Sequence, residues 1–410
     1  MKKISLLSLI PLFLYSQNLE ELVNLSIENR LIQASKHSLE ALKDDYKSVK
    51  SGYLPKIDAG ANYSINDKEQ VGVPKKMTTL YGSANYVLYD GGKKYDIYDG
   101  YENSIKSGEN SLENLKNSTS LTVINHYFNY QTLLAQKDAK LKQIEQLQAQ
   151  EQRLNRFYKA GTVTEDEYLK IVSSLQNSLV SLQEIELNII TILHNLEYIV
   201  GSKVDIKDGS KIKDIDELKT DLRYDIKALE YEVQTKQNSA NAQKSGYLPT
   251  ITLDNTFTYY DRDFDSNLNK TNSPYHQNVT SANLKWNLFS FGETKYKYES
   301  KQKEYLASKS NYEYEKNKAE VDLALALKAY EIAKIKIKSS EATLKASQSA
   351  YEVIKSKYEN GLIDNVAFLQ SLSEKFDSIS QYKQALNDLE IKKATIIYQS
   401  GEKLQEYIKW

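Results

Sequence analysis

Ser51-Gly52-Tyr53-Leu54-Pro55 returns residue for residue as Ser245-Gly246-Tyr247-Leu248-Pro249, and each copy opens the same succession of segments. The chain of 410 residues is therefore a tandem duplication. The two motifs start 194 positions apart (51 to 245), whereas Gly92 and Gly292, and again Gly161 and Gly361, lie 200 apart. All of the length change falls between the strand segments, where a loop tolerates insertion. The helical stretches that follow keep their register because packing on neighbours fixes their phase. The sequence divides into a short N-terminal segment, 1–16, and two structural repeats, 17–210 and 211–410. Each repeat is read as a helix, two strands and a long helical hairpin.

Lys2 and Lys3 precede an apolar run from Ile4 to Tyr15 that is too short to span a bilayer, and Ser16 is a small residue placed for cleavage. This reads as an export signal; the competing reading, a buried N-terminal helix, does not explain a basic pair at the start of an apolar block. Cysteine is absent, so neither disulfides nor a cysteine-linked lipid anchor is expected. Lys and Arg total 54 against 55 Asp and Glu, a balance that gives no electrostatic reason to expect nucleic acid.

A hydrophobic content of 40% is low for one compact core of this size, so the apolar residues must be spread along long elements. Beyond the N-terminal segment, the only prolines are Pro55, Pro74, Pro249 and Pro274, all inside the strand regions. From Gly92 to Val200 nothing but isolated glycines interrupts helix formation, and at ~1.5 Å per residue each hairpin arm extends on the order of 100 Å. Tyr168, Val172, Leu175, Leu179, Leu182, Glu186, Ile189, Leu193, Leu196 and Val200 alternate steps of four and three, the heptad spacing of a narrow coiled-coil seam. Glu186 alone breaks it. In the second copy Phe368, Leu372, Ile379, Tyr382, Leu386, Leu389 and Ile396 follow the same steps, interrupted by Lys375 and Lys393.

The strand regions alternate instead with period two. Ile57, Ala59, Ala61, Tyr63 and Ile65 alternate with polar or small partners, as do Leu80, Gly82, Ala84, Tyr86 and Leu88. In the second copy Ile251, Leu253, Phe257 and Tyr259, then Ala282, Leu284, Trp286 and Leu288, do the same. Each run matches the ~9–11 residues of a tilted transmembrane strand, with Ala59, Ala61, Tyr63, Ala84, Tyr86, Leu253, Phe257, Leu284 and Trp286 facing lipid. A soluble two-sided sheet is the alternative, and Asn255 on the apolar side favours it. Four strands cannot close a barrel, and an open edge in lipid leaves backbone groups unsatisfied, so several chains would have to pool their strands.

In these features the chain resembles the TolC family of outer-membrane efflux channels across essentially its whole length. Asn29-Arg30-Leu31-Ile32-Gln33-Ala34 and Arg223-Tyr224-Asp225-Ile226-Lys227-Ala228 are similar to the family's Asn-Pro-x-Leu-x-Ala opening, with Arg30 and Tyr224 in place of proline. Tyr86-Val87-Leu88-Tyr89-Asp90-Gly91-Gly92 and Trp286-Asn287-Leu288-Phe289-Ser290-Phe291-Gly292 resemble its strand exit. Arg156-Phe157-Tyr158-Lys159-Ala160-Gly161 to Leu169, and Lys357-Tyr358-Glu359-Asn360-Gly361 to Leu369, resemble its hairpin tips.

The resemblance implies an α+β fold: long coiled-coil hairpins forming a periplasmic α-helical barrel, plus four strands per chain in a twelve-stranded outer-membrane β-barrel shared by a homotrimer. It also implies partners, namely a periplasmic adaptor at the tips and, through it, an inner-membrane pump of the RND or ABC type. The tips are then the functional site. Gly161, Thr162, Val163 and Tyr168, with Gly361, Leu362, Ile363 and Phe368, are expected to seat adaptor helices. Tyr158, Tyr358 and Glu167 match positions that hold the family's aperture shut, through tyrosine–carboxylate hydrogen bonds, with Lys170 and Gln370 one helical turn farther along the inner wall. Ala367 and Gln370 replace the family's aspartate pair, a departure that removes the acidic ring from the second hairpin.

Glu165-Asp166-Glu167 reads either as a cation-attracting mouth or as a solvated helix start favoured by the dipole. His37, His126, His194 and His276 have no ligand spacing, and no nucleophile–base set or phosphate loop can be assembled, so neither enzyme chemistry nor a cofactor is expected. The rival to a channel is a structural or adhesive periplasmic coiled-coil protein with the strands as a soluble head. Nothing in the sequence selects a cargo.

Overall fold

The computed structural model describes residues 16–215, 221–267 and 269–410, so the N-terminal segment read as an export signal lies, apart from Ser16, outside the described residues. The chain order is α1 (Leu19–Ser26), α2 (Arg30–Gly52), β1 (Lys56–Ile65), β2 (Lys76–Tyr89), α3 (Lys93–Lys159), α4 (Glu165–Val200) and β3 (Lys211–Ile212). The chain continues with α5 (Tyr224–Gln243), β4 (Thr250–Asp263), β5 (His276–Lys285), α6 (Glu293–Glu359), α7 (Asn365–Gln399) and β6 (Ile408–Lys409). The helices α3 and α6 both run for 67 residues without a proline. Among the described residues no helix is long and apolar enough to cross a membrane. The chain forms two compact units, and each takes segments from both repeats.

One unit, Lys36–Ser111 with Asp225–Lys316, carries the sheet. Its order is β1-β2-β4-β5, antiparallel throughout, so the central β2–β4 pairing joins the two repeats and one strand of each repeat is left at an edge. Register decides the faces. Ala59 lies opposite Gly82, Gly82 opposite Phe257, and Phe257 opposite Asn278; Ala84 lies opposite Asn255, and Asn255 opposite Thr280. Residues in one such row share a face, which gathers Ile57, Ala59, Ala61, Tyr63, Leu80, Ala84, Tyr86, Leu253, Phe257 and Leu284 on one side. The other side is polar: the Asp254 carboxylate accepts from the amides of Asn85 and Asn283 and from the Thr252 hydroxyl. On that side Tyr81 lies against Gly60, where a Cβ would collide with the ring.

The alternation in the second copy reads through to Leu288, but β5 ends at Lys285, paired with Thr250. The next residue of the partner strand is Pro249, which has no N–H to continue the ladder. Trp286 therefore lies beyond the strand, its indole N–H donating to the Tyr247 carbonyl at 3.1 Å.

The other unit contains most of both helical hairpins. Its larger core gathers Leu19, Leu22, Val123, Ile124, Tyr127, Phe128, Leu196, Ile397, Leu404 and Ile408 around the two-stranded β3–β6 sheet. Every residue of the α4 seam is buried or half-buried. The three charged interruptions are all partnered. Glu186 pairs with Lys137 at 2.9 Å. Lys375 lies 3.9 Å from the Tyr351 ring centroid and 3.4 Å from Glu352. Lys393, 6% exposed, donates to Asp214 at 2.8 Å, to Glu390 at 3.0 Å and to the Ile212 carbonyl at 3.4 Å. Burial disfavours its charge, but the two carboxylates more than offset this and hold the ammonium above its usual value.

Candidate functional site

The two hairpin tips have one backbone design. At the end of α3 the Thr162 N–H donates to the Phe157 carbonyl at 2.9 Å and the Gly161 N–H to Tyr158 at 3.0 Å; at the end of α6 the bonds are Leu362 to Lys357, 2.8 Å, and Gly361 to Tyr358, 3.0 Å. This is the Schellman arrangement, which requires a left-handed residue after the cap. Gly161 and Gly361 both supply it at φ 73°, with open space where a Cβ would stand. The constraint at these positions is therefore conformational.

The next helices start differently. Asp364 caps α7 by accepting from the Ala367 N–H at 2.9 Å, whereas Thr164 before α4 makes no side-chain cap. The Thr164 hydroxyl beside Asp166, and Lys170 at 3.2 Å, hold that carboxylate below its usual value. The acidic run is thus a first turn with Glu165 and Asp166 exposed, Glu167 half-buried, and its central charge already partnered.

Tyr158 stacks on Tyr168 at 5.4 Å between centroids and 4° between planes, and the Tyr168 hydroxyl donates to Glu151 at 2.9 Å. At the equivalent positions of the second tip Tyr358 stacks on Phe368 at 4.6 Å, and Phe368 also meets Tyr351 at 6.2 Å. Phe368, Ile171 and Leu372 are fully buried, with Leu147, Leu154 and Tyr351 packed among them. Burial raises the Tyr358 phenol above its ordinary value; Arg153 opposes that rise and the charge of Glu167 adds to it.

The structure thus brings Tyr358 and Glu167 into one neighbourhood, but among the described residues of the chain neither Tyr158 nor Tyr358 forms the expected hydroxyl–carboxylate bond; each ring is instead stacked on its neighbour. Lys170 turns back to Asp166, and Gln370 bonds Glu374 at 3.0 Å along its own helix. Phe368 cannot seat an outside helix, since it fills the core beneath the tip. The exposed large side chains there include Leu362 at 73%, Val366 at 50% and, on the first hairpin, Leu169 at 52% with Phe157 and Tyr158. Val163 and Ile363 are half-buried. Sequence reading missed Glu151 and Arg153, which precede the first tip motif, and Val366, which lies within the second. It also missed Asn365, a buried side chain whose amide lies 3.5 Å from the Glu167 carbonyl.

In the strand unit, Tyr63, Leu253, Phe257 and Leu284 are exposed together with Ile57 and Leu80 on the same face. Asn255 interrupts this face but is satisfied there, donating to Asn278 at 3.0 Å and to Thr280 at 2.8 Å.

The sequence profile of the outer membrane efflux protein family matches residues 22–202 and 220–401, one match to each repeat. No curated protein sequence matches the chain. Among solved structures, the CmeC outer membrane channel of Campylobacter jejuni is similar with a TM-score of 0.84 at 18% identity, covering 93% of this chain and 85% of that one. The outer membrane protein VceC of Vibrio cholerae is similar at 0.82 and 14% identity, covering 94% and 96%. CusC, described as undergoing conformational changes on transmembrane channel formation, is similar at 0.83 and 14% identity, covering 95% and 93%. At such identities the likeness is one of fold.

Proposed function

Because the chain belongs to the outer membrane efflux protein family, whose members are channels and not enzymes, we propose that three copies form the exit duct of a tripartite efflux or type I secretion system. The duct conducts passively. Substrate is delivered by an inner-membrane pump of the RND or ABC type through a periplasmic adaptor, and the pump supplies direction. The observation that carries this reading is the sheet: four antiparallel strands with both edges open, one face apolar and exposed, and edge strands β1 and β5 of 10 residues each. In lipid such edges must be paired, and strand order makes β1 of one copy antiparallel to β5 of the next, so three copies close on twelve strands.

The exposed tip residues Leu362, Val366 and Leu169 suit the adaptor contact, with Val163 and Ile363 beside them. Hydrophobic side chains at a helix reversal fit a helix laid across it.

Two measurements test the proposal. Detergent-extracted protein should run as a heat-modifiable trimer and give single-channel conductance in planar bilayers. A soluble, non-conducting protein would instead support the structural coiled-coil reading. If Ala61 faces lipid, Ala61→Lys should cost ~2–4 kcal/mol and impair barrel assembly while Asn62→Lys is tolerated in the lumen; equal tolerance would overturn the face assignment.

A further inference from the structure

Arg153 belongs to none of the tip motifs, yet it stands between the two hairpins. Its guanidinium carbon lies 5.5 Å from the centroid of Tyr358, on the other hairpin, and 5.6 Å from that of Phe157, on its own. Both distances fall within the range in which a cation over a ring face is attracted by the ring quadrupole. Among the described residues Arg153 forms no ion pair and no side-chain hydrogen bond, so these ring faces are its partners. Tyr358 is itself held from behind, stacked at 4.6 Å and 15° on fully buried Phe368. The arrangement occurs once per chain: 200 positions on, the counterpart of Arg153 is Val353, which is 54% exposed and carries no charge.

We propose that Arg153 is the latch between the hairpins, clamping the Tyr358 face by a cation–π contact, so that the closed tip is held by a ring and a cation rather than by a tyrosine hydroxyl on a carboxylate. The inference rests on the channel reading above. Geometry supports it over the hydroxyl alternative, because a ring stacked on Phe368 presents its free face to Arg153 while its hydroxyl has no hydrogen-bond partner among the described residues. Guanidinium suits such a contact, being planar, weakly hydrated and charged at any pH the cell meets. The latch therefore closes without regard to pH, and a docking partner opens it by moving α6 away from α3.

The test is resting conductance of the full-length protein in planar bilayers, with the heat-modifiable trimer as an assembly control. Arg153→Ala should raise the open fraction about tenfold or more, because several copies of the contact act on one aperture. Arg153→Lys, which keeps a point charge but not the planar, weakly hydrated guanidinium, should fall between. Tyr358→Leu should leak as Arg153→Ala does, and the double variant should leak no more than either single one. Tyr358→Phe, which keeps the ring, should leak less than Tyr358→Leu. Lys142→Ala removes a like charge from an exposed site of α3 outside the tip motif and should leave conductance unchanged. Assembled trimers of Arg153→Ala that conduct as the parent does, or leaks that add in the double variant, overturn the latch. A parent protein that never conducts overturns the channel reading instead.

Discussion

At the first tip the Tyr168 hydroxyl reaches Glu151, and Tyr158 lies over its ring half in water; 200 residues on, Phe368 and Tyr351 occupy those two places and Tyr358 lies over a ring with no exposure at all. The main chain is the same in both, down to glycine φ angles of 73°. Duplication has therefore conserved the turn and released the side chains, leaving one polar tip on a hydrogen bond and one dry tip on aromatic packing. A wet contact can exchange with water at little cost, whereas a dry one holds until packing is broken. By packing alone, the second tip should resist local unfolding more than the first.

The largest test of this contrast is truncation. Phe368→Ala should destabilise the second tip by ~3–5 kcal/mol, as for other buried aromatics, while Tyr168→Ala, at a part-exposed ring, should cost clearly less. Hydrogen exchange at α6–α7 and α3–α4 amides reads the two effects separately, and equal losses would erase the distinction. The shared backbone makes the opposite claim: Gly161→Ala and Gly361→Ala should each cost ~1–2 kcal/mol and match, since φ is the same and nothing crowds either Cβ. Unequal costs would mean that the turns are not equivalent. Tyr168→Phe brings the first tip toward the chemistry of the second and should cost less than either glycine substitution, since only one solvent-accessible hydrogen bond is lost.

The smallest effect is alkaline. Tyr351 and Tyr358 are raised above 10.0 by burial, whereas Tyr168 is raised first by its bond to Glu151. Groups raised in the native state keep protons that the unfolded chain releases, so their contribution is fully present below about pH 10 and is lost as pH rises through the raised values. Tyrosinate absorbance should therefore show Glu151→Gln lowering the titration of Tyr168 alone; a parallel fall at the second tip would show the two to be one environment.

Much of this was legible in the sequence. Periodicity identified the hairpins, the seams and the alternating strands, and the matched glycines located both turns. What one dimension withholds is which neighbour covers a given face. Phe368 follows its glycine as an apolar residue whether it points to a partner or into its own core, and only the packing of Tyr351 and Tyr358 decides. Glu186, Lys375 and Lys393 read as flaws in a seam because their partners Lys137, Glu352 and Asp214 lie 23 to 179 positions away, or in another heptad phase. Trp286 kept the strand rhythm, but a proline on the facing strand ended the ladder. Arg153 is ordinary as sequence; it becomes distinctive only when Tyr358 is seen beneath it.

The sheet has a consequence for heredity. In the proposed ring each copy gives one edge and receives another, so a chain crippled at β1 or β5 spoils every ring it enters. With equal amounts of sound and defective chain, and random mixing, only about one ring in eight would be free of damage, because closure by rotation needs every interface. A lesion at an edge strand should therefore be dominant over a sound second copy of the gene, while a lesion that prevents the chain from folding at all should be recessive.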